Sequence, residues 1–345
     1  MFWLRKALAR LALSRSDAAL IKACGGGPRT VRGANMDARF QFIEDQARKR
    51  PVDWTIVTPQ QLRAQFDRAS AMFGGAPVRD VRTERVFVTG RSHSAPCRLY
   101  LPKVRDNSAP MLVYFHSGGG VIGSLESCHR LCGLIAKAAG APVLSVEYRL
   151  APEHRYPVGL GDARAAYLWA FENAARYGAP GRAAAVGGDS QGGSFAAALA
   201  HEARAGRLPQ PVLQLLIYPG VDAVSDTASM HDFADVFTLS DDLLQNFIKW
   251  HFPESADLSD PSISVLRAAD FRGLAPALVY TAGFDMLRDQ GEAYADRLVE
   301  AGVPVTRACF ETLPHAFVSF PAVAPVAEAA LQRIARETAA ALKGA

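Results

Sequence analysis

The sequence predicts an α/β fold with a mostly parallel central sheet flanked by helices, and three observations carry that prediction. From Met111 onward, short apolar runs alternate with helical runs. Those apolar runs are continuous rather than alternating, as strands buried on both faces are. One of them leads straight into a glycine-flanked serine that opens a helix, Gly187-Gly188-Asp189-Ser190-Gln191-Gly192-Gly193.

The elements follow in order. Met111–Phe115 is a strand followed by a glycine loop and a helix near Glu126–Ala139. Pro142–Val146 is followed by a loop and a helix near Asp162–Tyr177. Ala183–Val186 precedes the serine turn and the Ala-rich helix Ser194–Ala205. Val212–Ile217, Ala277–Thr281 and Val303–Phe310 complete the strands, and Ala322–Leu342 closes the chain as a helix. Upstream, Val81–Val88 and Pro96–Leu101 show alternation and read as antiparallel strands at one side of the sheet.

Residues 1–75 read as helical, with no strand. Asp37–Arg50 and Pro59–Phe73 have helical character; the second is started by Thr58-Pro59 and stopped by Gly74-Gly75. Between Ile217 and Ala277 lie about sixty residues, far more than a βα connection needs. Phe237–Phe252 there reads as helix and Asp260-Pro261 as a turn. The expected organisation is a helical cap made of residues 1–75 and an inserted segment, 222–266. The catalytic α/β domain is then formed by 76–221 and 267–345. No internal repeat is evident.

Composition excludes several classes. Hydrophobic residues at 49% and charged residues at 21% of 345 describe an ordinary globular chain with ample core. The net charge of +4 is small, and no basic stripe is interleaved with aromatics, so no nucleic-acid partner is expected. The five cysteines (Cys24, Cys97, Cys128, Cys132, Cys309) form no C-x-x-C pair, which predicts neither a disulfide framework nor a zinc site. Cys128 and Cys132 fall on one helix face as small packing residues.

Near the start, Arg10 and Arg15 interrupt the apolar run in a way a secretory signal does not tolerate. Leu4, Leu8 and Leu11 have the spacing of one helix face, so a short amphipathic helix packed on the protein is expected. Loose attachment to a membrane surface is the alternative. No run approaches the ~18 apolar residues of a membrane span, and a cytoplasmic protein without integral membrane association is expected.

The chemistry centres on Ser190. The G-x-S-x-G pattern after a strand and before a helix is that of a tight turn exposing a nucleophile. The positions two before and two after the serine approach neighbouring backbone, where only glycine fits. Acyl transfer by a serine needs a base, a group that orients the base, and donors for the oxyanion. In sites built on such a turn the chain order is Ser, acid, His. That order sets aside His93, His116, His129 and His154; His201 lies on the nucleophile helix, and His231 and His251 fall in the expected cap.

His315 is left, in the loop after the last strand, with a surface or core-packing role as its alternative. Asp285 leaves the preceding strand through Ala282-Gly283-Phe284, and Asp289 is its competitor, better suited to starting a helix. Asp189 should diverge from Ser190 and serve a structural hydrogen bond. The loop His116-Ser117-Gly118-Gly119-Gly120-Val121-Ile122-Gly123 offers main-chain N–H groups, joined by that of Gln191.

These segments resemble the bacterial hormone-sensitive-lipase-like (family IV) esterases of the α/β-hydrolase fold. The matching stretches are Tyr-Phe-His-Ser-Gly-Gly-Gly (114–120), Val-Glu-Tyr-Arg-Leu-Ala-Pro-Glu-His (146–154), Gly-Asp-Ser-Gln-Gly-Gly (188–193), Thr-Ala-Gly-Phe-Asp-Met-Leu-Arg-Asp (281–289) and Leu-Pro-His-Ala-Phe (313–317). The resemblance implies a triad of Ser190, Asp285 and His315, and oxyanion donors at Gly118, Gly119 and Gln191. It implies hydrolysis of small carboxylic esters with short or medium acyl chains, without cofactor or metal. An amidase or peptidase with the same triad, and a non-catalytic ligand receptor on the same fold, are the alternatives.

Three departures from the family pattern stand out. Ser117 takes the place of the first glycine and Gly120 that of an aromatic, which is expected to shift the loop and widen the acyl pocket. Gln191 stands where alanine is common, and its side chain should narrow access. Ala316 replaces the usual glycine after the histidine. The last strand, as a sheet edge, could pair two copies into a homodimer.

Overall fold

The computed structural model describes residues 2–90 and 94–344; His93 lies outside them. Helices α1 (Phe2–Leu13) and α2 (Asp17–Ala23) lead into a hairpin of two-residue strands, β1 (Thr30–Val31) and β2 (Ala34–Asn35), before α3 (Ala38–Arg48) and α4 (Pro59–Phe73). The sequence reading expected no strand here. Two paired residues are too few for a period to register. The turn is made by Arg32 and Gly33, both left-handed, as a two-residue hairpin loop requires. Helix α4 starts where expected: Thr58 Oγ1 accepts from Gln61 N–H at 3.2 Å and Gln61 Oε1 accepts from Thr58 N–H at 2.9 Å, a capping box.

The expectation for α1 is half corrected. The helix forms, but Leu4, Leu8 and Leu11 are exposed, and it packs through Leu13 on the opposite side.

The main sheet has eight strands: β3 (Val81–Thr89), β4 (Ser94–Pro102), β5 (Met111–Phe115), β6 (Val143–Val146), β7 (Ala184–Asp189), β8 (Gln214–Ile217), β9 (Ala277–Phe284) and β10 (Val305–Pro314). Their order is β10-β9-β8-β7-β5-β6-β4-β3. From β10 to β6 all pairings are parallel, and β4 and β3 add antiparallel pairs at the far side. Each parallel strand needs a crossover. These contain α5 (His129–Ala139), α6 (Val158–Asn173), α7 (Gln191–Arg204), α8 (Ala228–Asp232) with α9 (Asp241–His251), and α10 (Arg288–Glu300); α11 (Pro325–Lys343) ends the fold.

Although every residue of β5 is buried, its side chains still alternate between two cores. Leu112 and Tyr114 join the core beneath α5 and α11, with Leu131, Ile135, Leu331 and Ile334. Val113 and Phe115 join the opposite core with α6, α7 and α10. The fold is thus a three-layer α/β sandwich, with the continuous apolar runs explained by burial on both faces.

A third, smaller apolar cluster sits apart from both. Leu62 of α4, Leu239, and Phe247 of α9 meet Val121 and Ile122 of the glycine loop. Helix α4 and the long segment between β8 and β9 therefore converge on the same loop, and that convergence positions the site.

Candidate active site

Strand β7 ends at Asp189 and α7 begins at Gln191, leaving Ser190 alone at the turn with φ 54° and ψ −120°. Such a backbone is costly for a residue with a Cβ, and it persists only where the surroundings impose it. They do. A Cβ on Gly192 would lie 1.9 Å from Phe115 O, and one on Gly188 would lie 2.3 Å from the Gly192 carbonyl carbon. Strand β5 and the first turn of α7 are pressed together at this point, which forces the serine outward.

Asp285 and His315 arrive from the neighbouring strands. Asp285 follows β9, its Oδ1 accepting from Leu287 N–H at 2.9 Å. His315 follows β10, and its Nδ1 lies 2.7 Å from Asp285 Oδ2. With Nδ1–H donating to the carboxylate, Nε2 is an acceptor, and it lies 2.9 Å from Ser190 Oγ. All three are buried, at 7%, 1% and 3% exposure for Ser190, Asp285 and His315. The structure therefore brings the three sequence-selected residues into one continuous hydrogen-bonded row.

The competitors are accounted for. Asp289 sits in the first turn of α10, held by the Arg32 guanidinium at 2.6 and 3.0 Å and by Ser229 N–H at 2.8 Å. His231 pairs with Asp226 at the surface. His201 packs edge-on against Phe271. Asp189 points away from the serine and accepts from the hydroxyls of Tyr114 and Tyr218, each at 3.0 Å. Burial pushes its carboxyl pKa upward, and the Tyr218 ring in turn supports His315 at 4.7 Å between centroids.

Opposite this row lies the glycine loop. Gly118, Gly119 and Gly120 all have positive φ, whereas Ser117 does not; serine in place of the family's first glycine therefore adds no backbone strain. His116 stacks on Tyr148 at 4.2 Å, and Tyr148 Oη donates to His116 O at 2.8 Å, fixing the start of the loop. Among the described residues, no acceptor takes the main-chain N–H of Gly118, Gly119 or Gln191. Unsatisfied N–H groups beside a buried nucleophile can stabilise a developing oxyanion.

A family model described as the alpha/beta hydrolase fold matches residues 112–319. The chain is 41% identical over 297 residues to the carboxylic ester hydrolase LipN of Mycobacterium tuberculosis, covering 84% of this chain and 78% of that one. It is 38% identical over 262 residues to an ethyl acetate hydrolase of Pseudomonas putida, covering 75% and 82%. The chain belongs to the α/β-hydrolase family, in its hormone-sensitive-lipase-like branch. Among solved structures, a thermostable esterase from Pseudomonas putida superposes with a TM-score of 0.83 at 29% identity, covering 91% of this chain and 99% of that one. An ester hydrolase from the metagenome of Lake Arreo gives 0.81 at 34% identity, covering 87% and 96%.

Two cavities open from Ser190 in this hydrolase. One, of about 310 Å³, contains Gly119, Gln191, Leu244, Phe247, His251 and Leu287. The other, of about 390 Å³, contains Gly118, His315, Ala316, Trp54, Phe66 and Leu243. Gln191 thus lines the first lobe, as its expected narrowing of access requires. The lobe is not widened at Gly120, however. A Cβ there would fall 2.3 Å from His251 Nδ1, so the α9 imidazole occupies the space next to the loop. The neighbouring Gly119 is covered likewise by the Phe247 ring, 2.4 Å from where a Cβ would sit.

His251 is buried, its ring set against the Gly120 backbone. Burial lowers its pKa to about 4. Sequence reasoning set His251 aside as a cap residue, and it missed Phe247 and Arg63. Arg63 donates to Val121 O at 2.7 Å and Ala151 O at 2.6 Å and pairs with Glu153, tying α4 to the loop. The signal for His251 lay in Gly120: a glycine where the resemblance implies an aromatic leaves room for a ring from elsewhere. Among the described residues, no group of three or more His, Cys, Asp or Glu is arranged to hold a metal, and no helix is long and apolar enough to cross a membrane.

Proposed function

We propose that this chain is a serine carboxylesterase acting on esters with short or medium acyl chains through an acyl-enzyme on Ser190. The observation that carries this reading is the hydrogen-bonded row Asp285–His315–Ser190 with a cavity on either side of the hydroxyl. His315 Nε2 takes the serine proton as Oγ attacks the ester carbonyl. The oxyanion is received by the N–H groups of Gly118, Gly119 and Gln191, and Asp285 holds the imidazole in its tautomer and stabilises the imidazolium. That imidazolium protonates the departing alcohol, leaving the acyl group on Oγ. His315 then deprotonates water, which attacks the acyl carbon, and the returning proton restores Ser190.

The alcohol must leave within reach of His315. We therefore assign the Trp54 lobe, which contains His315, to the alcohol and the His251 lobe to the acyl chain. The division into a cap of 1–75 and 222–266 over an α/β domain of 76–221 and 267–345 belongs to the same reading. So does pairing of two copies along β10, which the strand's place at the sheet edge favours. A cytoplasmic setting belongs to the same reading.

A fluorophosphonate probe should label Ser190, and a panel of p-nitrophenyl esters should show highest kcat/KM at short to medium acyl length, falling for long chains. A matched p-nitroanilide should react far more slowly. No labelling, or anilide turnover equal to that of the ester, would overturn the assignment, and light scattering tests the dimer.

A further inference from the structure

Helix α1 turns its most apolar row away from the rest of the protein. It is held on the inner side by Leu13, buried in the core, and by the Lys6 ammonium, which donates to Ala71 O of α4 at 2.7 Å. On the other side Trp3, Leu4, Leu8 and Leu11 are 77%, 64%, 56% and 68% exposed. Leucines at i, i+4 and i+7 form one stripe along the helix. Exposed Arg5 and Arg10 fall on either side of that stripe, roughly 100° round the helix axis by the turn of 3.6 residues, and exposed Arg15 follows the last turn. The helix carries no Asp or Glu.

A surface of this kind asks for a partner that is apolar in its middle and negatively charged at its margins. We propose that α1 docks the protein on anionic lipid membranes, lying in the interface with Leu4, Leu8 and Leu11 in the acyl region. Trp3 sits at headgroup depth, and Arg5, Arg10 and Arg15 meet lipid phosphates. A second copy of the chain fits less well. Two such helices face to face would bring arginines together, with no carboxylate on either helix to offset them. The attachment is peripheral: a 12-residue helix lies on a membrane and does not span it.

The test is co-sedimentation of the full chain with vesicles of phosphatidylcholine alone or mixed with phosphatidylglycerol, at low and high salt. Binding to the anionic vesicles should exceed that to the neutral ones by about fivefold or more and be largely lost at high salt. Leu8→Glu should lower partitioning about tenfold, because it places a charge in the acyl region. The pair Arg5→Ser/Arg10→Ser should remove the preference for anionic vesicles. Both variants should keep wild-type Tm and wild-type hydrolysis of a soluble short ester, so a failure here is separable from a failure of the esterase reading. Equal partitioning to both vesicle types, or Leu8→Glu without effect, overturns the proposal. A dimer in solution that Leu8→Glu dissociates, without vesicle binding, overturns it in favour of self-association.

Discussion

Ser190 and the glycine loop stand on opposite sides of the same small space, and they are held there by different means. On the sheet side the agents are backbone contacts: Gly192 against Phe115 O, Gly188 against Gly192, and left-handed φ at Ser190 and Ala316. On the helical side they are aromatic side chains of α9, with Phe247 over Gly119 and His251 over Gly120. Backbone contacts between strands and the first turn of α7 admit almost no adjustment, whereas rings on a helix can shift with it. The comparison teaches that Ser190, the proposed nucleophile, is built into the fold, while the proposed donors facing it depend on how α9 is seated.

The largest test of that contrast is chemical. Ser190→Ala should lower kcat by roughly 10⁴-fold or more, since triad members act as a unit, while the fold persists because the backbone contacts remain. Steady-state kinetics with a soluble p-nitrophenyl ester measures it. Activity within tenfold of wild type would remove Ser190 from the role proposed for it.

Each side also carries a histidine whose pKa is lowered by its surroundings, and acid should expose both. Burial lowers the pKa of His201 on α7 to about 4, with Arg204 and Arg297 adding repulsion, and lowers that of His251 on α9 to about 4. The unfolded chain takes up these protons near pH ~6.5, whereas the folded chain resists until about pH 4. Unfolded protein therefore binds more protons across that window, and stability falls as pH drops from ~6.5 to ~4. The loss should be on the order of 3 kcal/mol for His251 and less for His201, which is not fully buried. Urea midpoints against pH should flatten in steps with His251→Phe and His201→Leu. A slope unchanged in both variants would show that neither histidine resists protonation in the fold.

Smaller, and aimed at the α9 side alone, is the effect of emptying the space above Gly120. His251→Ala should lower kcat about 10- to 30-fold with a lesser change in KM, because displaced oxyanion donors stabilise the transition state more weakly than aligned ones. His251→Phe should restore most of the loss, since ring volume rather than titration covers the loop. If alanine keeps full kcat, the seating of α9 does not govern the donors, and the two sides of the site are alike in rigidity.

How much of this was legible beforehand follows the same division. Ser190, Asp285 and His315 could be chosen from sequence because strand, turn and glycine order are local properties, and the order of chemical groups along the chain restricts the choice further. The start of α4 at Thr58-Pro59 and the antiparallel pair β3–β4 were legible for the same reason. His251 and Phe247 were not, because their role comes from where a helix far along the chain from the glycine loop packs, and nothing local in Phe247–His251 encodes that neighbour. Helix α1 was half legible: its period gave the helix, but periodicity reports only that one face is apolar, not whether that face is turned inward. The β1–β2 hairpin was too short to give any period.

Ala316 supplies the finest test of the sheet side. Its φ of 61° and ψ of 17° place it in the left-handed region, where its Cβ costs about 1 kcal/mol or somewhat more relative to glycine. Ala316→Gly relieves that cost but gives the unfolded chain more freedom, worth ~0.4–1 kcal/mol in the other direction. The net change in stability should therefore be small, within about 1 kcal/mol and on the stabilising side, with kcat little altered because His315 is already aligned by Asp285. A loss of more than that in a denaturant titration would mean that the Ala316 methyl, buried at the edge of the Trp54-lined cavity, holds the His315 loop by packing. In that case the sheet side too would rely on a side chain where its backbone is most strained.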